Sequence, residues 1–303
     1  LKVERGVKIL RLAGSPYEMG YQHGRLLAKE IDLMVKTTLP ATAAYVALQA
    51  DSELDRAEEM LWIGQRRAEP HLPKELKVEM EGIADGVRDG GGRATLEEIL
   101  LWNTNYDQWC IYCHPNFWSC SPGPDGGGVA DEGGREGPAP LAPPAGGCSS
   151  FSAWDEGAGG GGELIFGKNE DNFNMPGQLE CRMMVVAAPD DGFGHVFMTY
   201  PGMIGLDGGV NEAGFEMMTQ LSSMRHETMA GCGIAVFTRL LLTRAKTVDD
   251  AVRILREYPR CAGIAYHVAD GVAREAAVVE TSSKRVCVRH PMDGVEALWQ
   301  TNH

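Results

Sequence analysis

A low-complexity stretch, residues 121–147, divides the chain into two parts of different character. It reads SPGPDGGGVADEGGREGPAPLAPPAGG and consists almost entirely of glycine, proline, alanine and acidic residues. Such a composition cannot bury enough apolar surface to offset the entropy of ordering the chain. We therefore predict an exposed, protease-sensitive linker at 121–147, which joins a segment 1–120 to a segment 148–303.

The segment before the linker is predicted to be mainly helical. After one predicted strand, VKILRLAG, Ser15 is followed by a proline and then by Glu18, which is the pattern of a helix N-terminal capping box. Thr95 and Glu98 repeat this pattern, and apolar residues recur at helical spacing between the two boxes. Local signals alone therefore predict several consecutive helices.

The segment after the linker is predicted to contain short strands interrupted by two helices. Runs of β-favouring residues alternate with glycine, aspartate, asparagine and proline, as is typical of strands and turns. The stretches IAVFTRLLLTRA and TVDDAVRILREYP instead have helical periodicity. Strands, a helix pair and further strands predict an α+β fold in which helices pack on paired sheets.

Charge and hydropathy exclude several classes of partner. The formal net charge of −14 argues against nucleic acid, because a phosphate backbone selects for basic surfaces. No run of about 18 apolar residues is present, so no membrane span is predicted. The first residues lack the basic start and long apolar core of a signal peptide, which favours a cytoplasmic location.

The junction between Gly147 and Cys148 places a cysteine at the start of a predicted strand, directly after the linker. If this peptide bond is cut, Cys148 gains a free α-amine, whose ordinary pKa of about 8 lets it accept the thiol proton. Nucleophile and base then belong to one residue. A glycine before the cysteine is unhindered and can adopt the geometry of self-attack. The alternative is a buried structural cysteine in a strand.

A second cysteine motif, CIYCH, occupies residues 110–114. Cys110, Cys113 and His114 fit C-x-x-C-H, the attachment motif for c-type haem, and with Cys120 they are also compatible with half of a zinc site. The β-rich second segment does not fit a haem protein. We interpret the spacing as accidental, at the end of a helix.

Methionines are frequent on the predicted strands. Their main predicted role is core filling, and the alternative is an adaptable pocket for an acyl chain. The residues concerned are Met183, Met184, Met198, Met203, Met217 and Met218. A lone histidine, His23, is predicted to be a hydrogen-bonded helix residue rather than a base.

Five motifs in a fixed order resemble a known family: GCSSFSAW, LIFGKNED, GGVNEAGF and TNH, preceded by GSPYEMGYQHGRLL. The chain resembles the autoproteolytic acyltransferases and amidases related to acyl-coenzyme A:6-aminopenicillanate acyltransferase, among the N-terminal-nucleophile hydrolases. The bile-salt and penicillin V amidases share the same motif order. The resemblance implies a four-layer helix–sheet–sheet–helix sandwich with a helical N-terminal proregion.

The resemblance also implies roles for single residues. Cys148 matches the nucleophile and new N-terminus, and Asp171 matches an aspartate that positions it. Asn211 and Asn302 match asparagines near the oxyanion, where side-chain amides are good donors. Lys168 stands where the bile-salt amidases have arginine, and lysine cannot make the same forked contact. Taken alone, Asp171 fits a turn cap and Asn211 fits a hairpin turn equally well.

The implied function is hydrolysis or acyl transfer on a small acylated substrate through an acyl-enzyme. The resemblance implies no cofactor or metal. The active form is expected to consist of two chains that arise from self-cleavage. The free α-amine of Cys148 is the predicted base, and His195, His267 and His303 are its competitors. Two alternatives remain open. One is a phospholipase-B-like ester hydrolase, and the other is an uncleaved relative that acts as a binding or scaffold domain.

Overall fold

The structure, a computed structural model, describes residues 1–112, 147–171, 178–222 and 226–302. Its helices are α1 (Pro16–Leu26), α2 (Ala28–Ala50), α3 (Leu54–Ala68), α4 (Lys74–Asp89), α5 (Leu96–Tyr112), α6 (Gln178–Cys181), α7 (Ile234–Arg244) and α8 (Val248–Glu257). Its strands are β1 (Lys2–Glu4), β2 (Val7–Gly14), β3 (Cys148–Trp154), β4 (Leu164–Glu170), β5 (Met183–Pro189), β6 (His195–Thr199), β7 (Gly208–Asn211), β8 (Phe215–Leu221), β9 (Ile264–Asp270), β10 (Glu275–Thr281), β11 (Val286–Arg289) and β12 (Ala297–Gln300). Except for Gly147, the predicted linker lies outside the described residues, as do Cys113, His114, Cys120 and His303.

Two sheets are present in the described part of the chain. Nine strands form the larger sheet in the order β1-β2-β5-β6-β7-β8-β9-β10-β11, and three form the smaller sheet in the order β12-β3-β4. Neighbouring strands are antiparallel except β2 and β5, which are parallel with Leu10 opposite Val185. Because β2 precedes the linker and β5 follows it, the two segments of the sequence share one sheet and one core.

Strand β9 shows what covers each face of the larger sheet. Tyr266 meets Phe237 of α7 with 5.9 Å between ring centroids, whereas the next residue, His267, meets Phe166 of β4 at 4.8 Å. Consecutive strand residues point to opposite faces. Helix α7 and the three-stranded sheet therefore cover opposite faces of the larger sheet.

The helices before the linker lie on the α7 side of the larger sheet. Helix α5 packs against α7, and the Trp102 indole N–H donates to the carbonyl of Pro201 at 2.9 Å. The described residues thus form an α+β structure with the order helices, nine-stranded sheet, three-stranded sheet, which confirms the predicted fold class. Phe151, Ile165 and Trp299 are exposed on the smaller sheet, and a fourth, helical layer stays a prediction.

The predicted capping boxes begin α1 and α5. The Glu18 N–H donates to Ser15 Oγ at 3.4 Å, and Glu18 Oε2 accepts the Ser15 N–H at 2.8 Å. Thr95 and Glu98 make the same reciprocal pair, at 3.2 and 2.8 Å. Each box satisfies backbone N–H groups that a helix start otherwise leaves without partners. His23 of α1 is buried and its Nε2 accepts the Gly202 N–H at 3.0 Å, as expected for a structural histidine.

Glycines let α1 and α4 approach each other closely. A Cβ at Gly20 would lie 1.9 Å from the Glu79 carbonyl oxygen, and one at Gly24 would lie 2.0 Å from the Ile83 oxygen. Gly82 and Gly86 of α4 are equally close to the α1 backbone, at 2.3 Å in each case. The obstacles are backbone atoms, so neither helix can admit a side chain without moving apart.

We expect Gly24→Ala to destabilise the protein although alanine favours helices. Separating two packed helices costs more than the gain in propensity, and overpacking of this kind typically costs about 1–3 kcal/mol. The free energy of unfolding from urea titration measures the loss. Glu59→Ala, at an exposed position of α3, is the control and should change stability little; equal stability of Gly24→Ala and the parent would contradict the close helix contact.

Candidate functional site

The β3–β4 hairpin carries the predicted nucleophile. Cys148 lies opposite Glu170, and Ser150 lies opposite Lys168. Directly opposed residues of an antiparallel pair point to the same face. Ser150 is hydrogen-bonded to His267 of β9 at 2.8 Å, so this face is the one turned toward the larger sheet. Cys148 is therefore held between the sheets, and only 8% of it is exposed.

The environment of the Cys148 thiol has opposing effects on its pKa. Burial raises the pKa, as do the charges of Glu170 and Asp207. Lys168 and the Asp171 backbone N–H lower it, but the net result is a raised pKa. In the uncut chain the thiol is thus mainly protonated at neutral pH, and an attack by sulfur requires a group that removes the proton.

The peptide bond between Gly147 and Cys148 is held on both sides. The Gly147 carbonyl accepts the Asp171 N–H at 2.9 Å. On the other side, the Cys148 N–H donates to Asn302 Oδ1. Asn302 is itself fixed, because its Nδ2 donates to the Leu221 carbonyl at 2.8 Å. Four of the residues singled out from the sequence, Gly147, Cys148, Asp171 and Asn302, thus meet at this bond. Asp171 contributes its backbone N–H and Asn302 its side-chain oxygen, so the predicted roles of the Asp171 carboxylate and the Asn302 amide donor stay predictions.

The site also contains a group of buried charges beside Lys168. One Arg182 nitrogen, Nη2, donates to Glu170 Oε2 and to Asp207 Oδ2, both at 2.5 Å. Lys168 Nζ lies 3.8 Å from Asp207 Oδ1. Burial raises the pKa of Asp207 to about 7, with Lys168 and Arg182 opposing the shift and Glu170 adding to it. Burial acts on Glu170 as well, yet Lys168, Asp207 and Arg182 lower its pKa overall.

Sequence reasoning missed Glu170, Arg182 and Asp207. Glu170 stands in the same GKNED motif as Lys168, and β-alternation could have placed both side chains on one face. Asp207 precedes the GGVNEAG motif, but Arg182 has no local signal. Arg182 supplies the guanidinium that Lys168 lacks, from the connection between α6 and β5.

Asn211 is not part of this group. Its Nδ2 donates to the carbonyls of Leu242 and Ala245 at 3.0 and 2.8 Å, near the end of α7. Its Oδ1 accepts the N–H groups of Ala213 and Phe215 at 3.0 and 3.1 Å. The side chain therefore lies on the helical side of the larger sheet, opposite Cys148, and closes the β7–β8 turn. This geometry gives no support to an oxyanion role for Asn211.

Neither described competitor for the role of base contacts the thiol in this structure. His267 is hydrogen-bonded through both ring nitrogens, to Ser150 at 2.8 Å and Ser152 at 2.9 Å. His195 Nδ1 lies 2.7 Å from the Phe193 carbonyl and its Nε2 lies 3.1 Å from Arg239. Burial lowers the pKa of each histidine to about 3, with Arg289 and Arg239 respectively adding to the effect. Both rings are therefore neutral across the physiological range.

A cavity of about 630 Å³ opens beside the charged group. Its walls come from β4 and from the open part of the larger sheet that the smaller sheet leaves uncovered. Met184, Met198 and Met218 line it, whereas Met183, Met203 and Met217 are buried in the core. Three of the six methionines therefore fill the core and three line a cavity, and a role of the cavity in binding an acyl chain stays a prediction.

Within 1–112, 147–171, 178–222 and 226–302, no three His, Cys, Asp or Glu side chains are grouped so as to hold a metal ion. Cys110 lies on α5, but Cys113 and His114, the other residues of the C-x-x-C-H motif, lie outside these ranges. No helix in the same ranges is long and apolar enough to cross a bilayer.

The second half of the chain is similar to a known protein family. Residues 158–303 match the family model described as acyl-coenzyme A:6-aminopenicillanic acid acyl-transferase. This range includes Lys168, Asp171 and Asn302 and begins after Cys148. The chain is also 30% identical over 292 residues to an uncharacterized protein of Archaeoglobus fulgidus, covering 94% of this chain and 45% of that protein. The chain therefore spans about half the length of this relative.

Solved structures with partial similarity include three proteins. The Caenorhabditis elegans ortholog of N-acylethanolamine-hydrolyzing acid amidase has 16% identity and a TM-score of 0.41, over 51% of this chain and 70% of that chain. Penicillin V acylase from Agrobacterium tumefaciens has 17% identity and a TM-score of 0.29, over 50% and 43%. A conjugated bile acid hydrolase from Clostridium perfringens has 13% identity and a TM-score of 0.35, over 50% and 52%. Residues 158–303, slightly less than half of the chain, are therefore similar to the acyl-coenzyme A:6-aminopenicillanic acid acyl-transferase family.

Proposed function

We propose that the protein is a cysteine N-terminal-nucleophile amidohydrolase or acyltransferase, which cuts itself between Gly147 and Cys148 and then acts on a small acylated substrate. One observation carries the proposal. The Gly147–Cys148 bond is held by Asp171 on its carbonyl and by Asn302 on its nitrogen, with the thiol between the two sheets. The Asp171 contact continues the β3–β4 ladder, whereas a purely structural cysteine does not need the side-chain contact from Asn302.

Self-cleavage follows from these contacts in two steps. The Cys148 sulfur attacks the Gly147 carbonyl carbon, the C–N bond breaks, and the thiol proton passes to the leaving nitrogen. Water then hydrolyses the resulting thioester, which leaves a carboxylate on Gly147 and restores the thiol. The Asp171 N–H already donates to the oxygen that becomes negative during the attack, so it lowers the barrier as a preorganised donor.

Turnover reuses the same groups. The free α-amine of Cys148 takes the thiol proton, and the thiolate attacks the substrate carbonyl. The resulting ammonium gives its proton to the leaving amine, and an acyl thioester remains. Water or a second amine attacks the thioester and releases the acyl group. Asn302 Oδ1, which accepts the Cys148 N–H in the uncut chain, holds the amine after cleavage, and Asp171 N–H serves the substrate oxyanion.

The charged group has a positioning role in this proposal. Lys168 favours the thiolate of Cys148, whereas Glu170 and Asp207 oppose it. Arg182 binds both carboxylates and so reduces their effect on the thiol. The position of Lys168 on β4 is thus that of an electrostatic support, and Arg182 bridges the two carboxylates through one nitrogen.

The segment before the linker stays attached after cleavage in this proposal. Its strand β2 pairs with β5 along seven residue pairs, and its helices share the core of the larger sheet. It would form the smaller chain of the two-chain protein. The predicted fourth layer would cover the exposed side chains of Phe151, Ile165 and Trp299 on the smaller sheet.

Intact-mass analysis of the purified chain, combined with an assay of simple acyl amides and acyl esters, tests the proposed function. Two fragments that separate at Gly147–Cys148, together with release of amine from the amides, are expected. A full-length chain without turnover would instead favour the binding or scaffold alternative. Turnover of esters alone would favour the phospholipase-B-like alternative.

The rate of the cleaved enzyme is expected to rise with pH as the Cys148 α-amine loses its proton, near its ordinary pKa of about 8 before the site perturbs it. Only the neutral amine accepts the thiol proton, which sets the direction of the change. A profile of kcat/KM against pH measures it. His267→Gln and His195→Gln should keep the same inflection, because both histidines are already neutral.

Loss of the inflection in either histidine variant, with folding and self-cleavage intact, would show that the histidine of a Cys–His pair, and not the α-amine, is the general base. Folding is checked by circular dichroism, because His267 joins the two sheets through Ser150 and Ser152.

A further inference from the structure

The floor of the cavity consists of two cross-strand rows of the larger sheet. In the first row, paired residues run across β5, β6, β7 and β8: Met184, Met198, Gly208 and Met218. In the second row, paired residues run across β6, β7 and β8: Val196, Val210 and Glu216. All seven line the cavity. The rows are two residues apart on each strand, which is about 7 Å.

The first row, which we call the methionine row, lies at the end of the cavity nearest Cys148. Met218 is opposite His267, whose ring is hydrogen-bonded to Ser150 of the strand that begins with Cys148. Gly208 directly follows Asp207 of the charged group. A Cβ at Gly208 would lie 2.8 Å from Met218 Sδ, so the thioether covers the glycine. Flexible thioethers adapt to apolar ligands of different shape, and this end suits a short hydrocarbon chain.

Glu216 is the charged residue of the second row. It is half-buried, and burial alone raises the pKa of its carboxyl. In the part of the chain that the structure describes, no hydrogen bond or ion pair engages this carboxylate. The other acids of the cavity differ, because Glu170 and Asp207 are both bound by Arg182. Glu216 is thus a partly desolvated anion that a ligand cation would stabilise.

We propose that the cavity selects substrates in which a protonated amine is joined to the scissile amide by a short apolar chain, with Glu216 binding the ammonium. The inference deepens the proposed function and rests on it. The methionine row contacts the chain, and the second row contacts the ammonium end. The ammonium belongs either to the acyl group or to the leaving amine, and the same carboxylate recognises both.

The test compares matched substrates that differ only at the far end. One series carries an ammonium or an isosteric methyl group on the acyl side, and the other carries the same pair on the amine side. We expect the parent to prefer ammonium by about ten-fold or more in kcat/KM in one series, as a charged hydrogen bond contributes. That series identifies the side that the cavity holds. Glu216→Gln should bring the ratio close to one, whereas Glu97→Gln, at an exposed position of α5, should not change it.

A binding measurement separates this inference from the proposed function. Calorimetric titration of the uncleaved Cys148→Ala variant needs no turnover. The acyl side is probed with ω-aminohexanamide and heptanamide, and the amine side with N-(5-aminopentyl)acetamide and N-hexylacetamide. Tighter binding of the amino compound in either pair, lost on adding Glu216→Gln, supports the inference even if no substrate is cleaved. Equal binding within both pairs, or a preference that survives Glu216→Gln, overturns it even if the enzyme is active.

Discussion

Cys148→Ala is expected to remain a single full-length chain and to lose all turnover of acyl amides. The variant lacks the sulfur that attacks both the Gly147 carbonyl and the substrate, so both reactions lose their nucleophile. Removing a catalytic nucleophile typically costs on the order of 10⁶-fold in rate. Denaturing electrophoresis and intact mass report self-cleavage, and amine release reports turnover.

Cys181→Ala is the matched control. Cys181 is also buried and free, but it lies at the end of α6, outside the group that holds the Gly147–Cys148 bond. It should be cleaved and active like the parent. Cleavage of Cys148→Ala at the same bond and at the parent rate would exclude self-attack by the thiol. Cleavage elsewhere in 121–147 would show only that the linker is accessible to proteases.

Glu79→Leu is expected to destabilise the protein by about 3–5 kcal/mol, because it leaves a buried charge without its partner. Arg239 Nη2 donates to Glu79 Oε2 at 2.8 Å, and both residues are at most 2% exposed. The pair joins α4, before the linker, to α7, after it. Arg239 also lies 5.6 Å from the centroid of the Phe197 ring. The free energy of unfolding from denaturant titration measures the effect.

The double variant Glu79→Leu/Arg239→Met is the control for this experiment. Removing both charges leaves an apolar contact of similar volume, which often restores the stability that a single removal destroys. We therefore expect the double variant to be clearly more stable than Glu79→Leu. If Glu79→Leu were as stable as the parent, the buried ion pair would not hold the two segments together.

Features that depend only on neighbouring residues could be predicted from the sequence. The capping boxes at Ser15 and Thr95 begin helices in the structure, since a cap is complete within four residues. Cys148 begins a strand, as its position after the glycine-rich stretch predicted. The α+β class followed from the order of periodic segments. Each of these signals comes from residues that are close together in the sequence, so it can be read without the tertiary structure.

The candidate site could be predicted only in part. The junction, Lys168, Asp171 and Asn302 were found from ordered motifs, and the structure brings them together at Cys148. Asn211 was singled out by the same reasoning, yet its amide closes a turn on the far side of the sheet. A motif identifies a residue type at a position, but it does not say which face of the strand the side chain takes.

Contacts between residues far apart in the sequence could be read only from the folded structure. The parallel pairing of β2 with β5 joins segments that the linker separates, so the helical segment and the strand-rich segment share one hydrophobic core. Strand register placed Met184, Met198 and Met218 in the cavity and Met183 and Met217 in the core. It also brought Arg182 to Glu170 and Asp207. The physical reason is that a shift of register by one residue reverses every side chain, and register is set by packing across the whole sheet rather than by any local pattern.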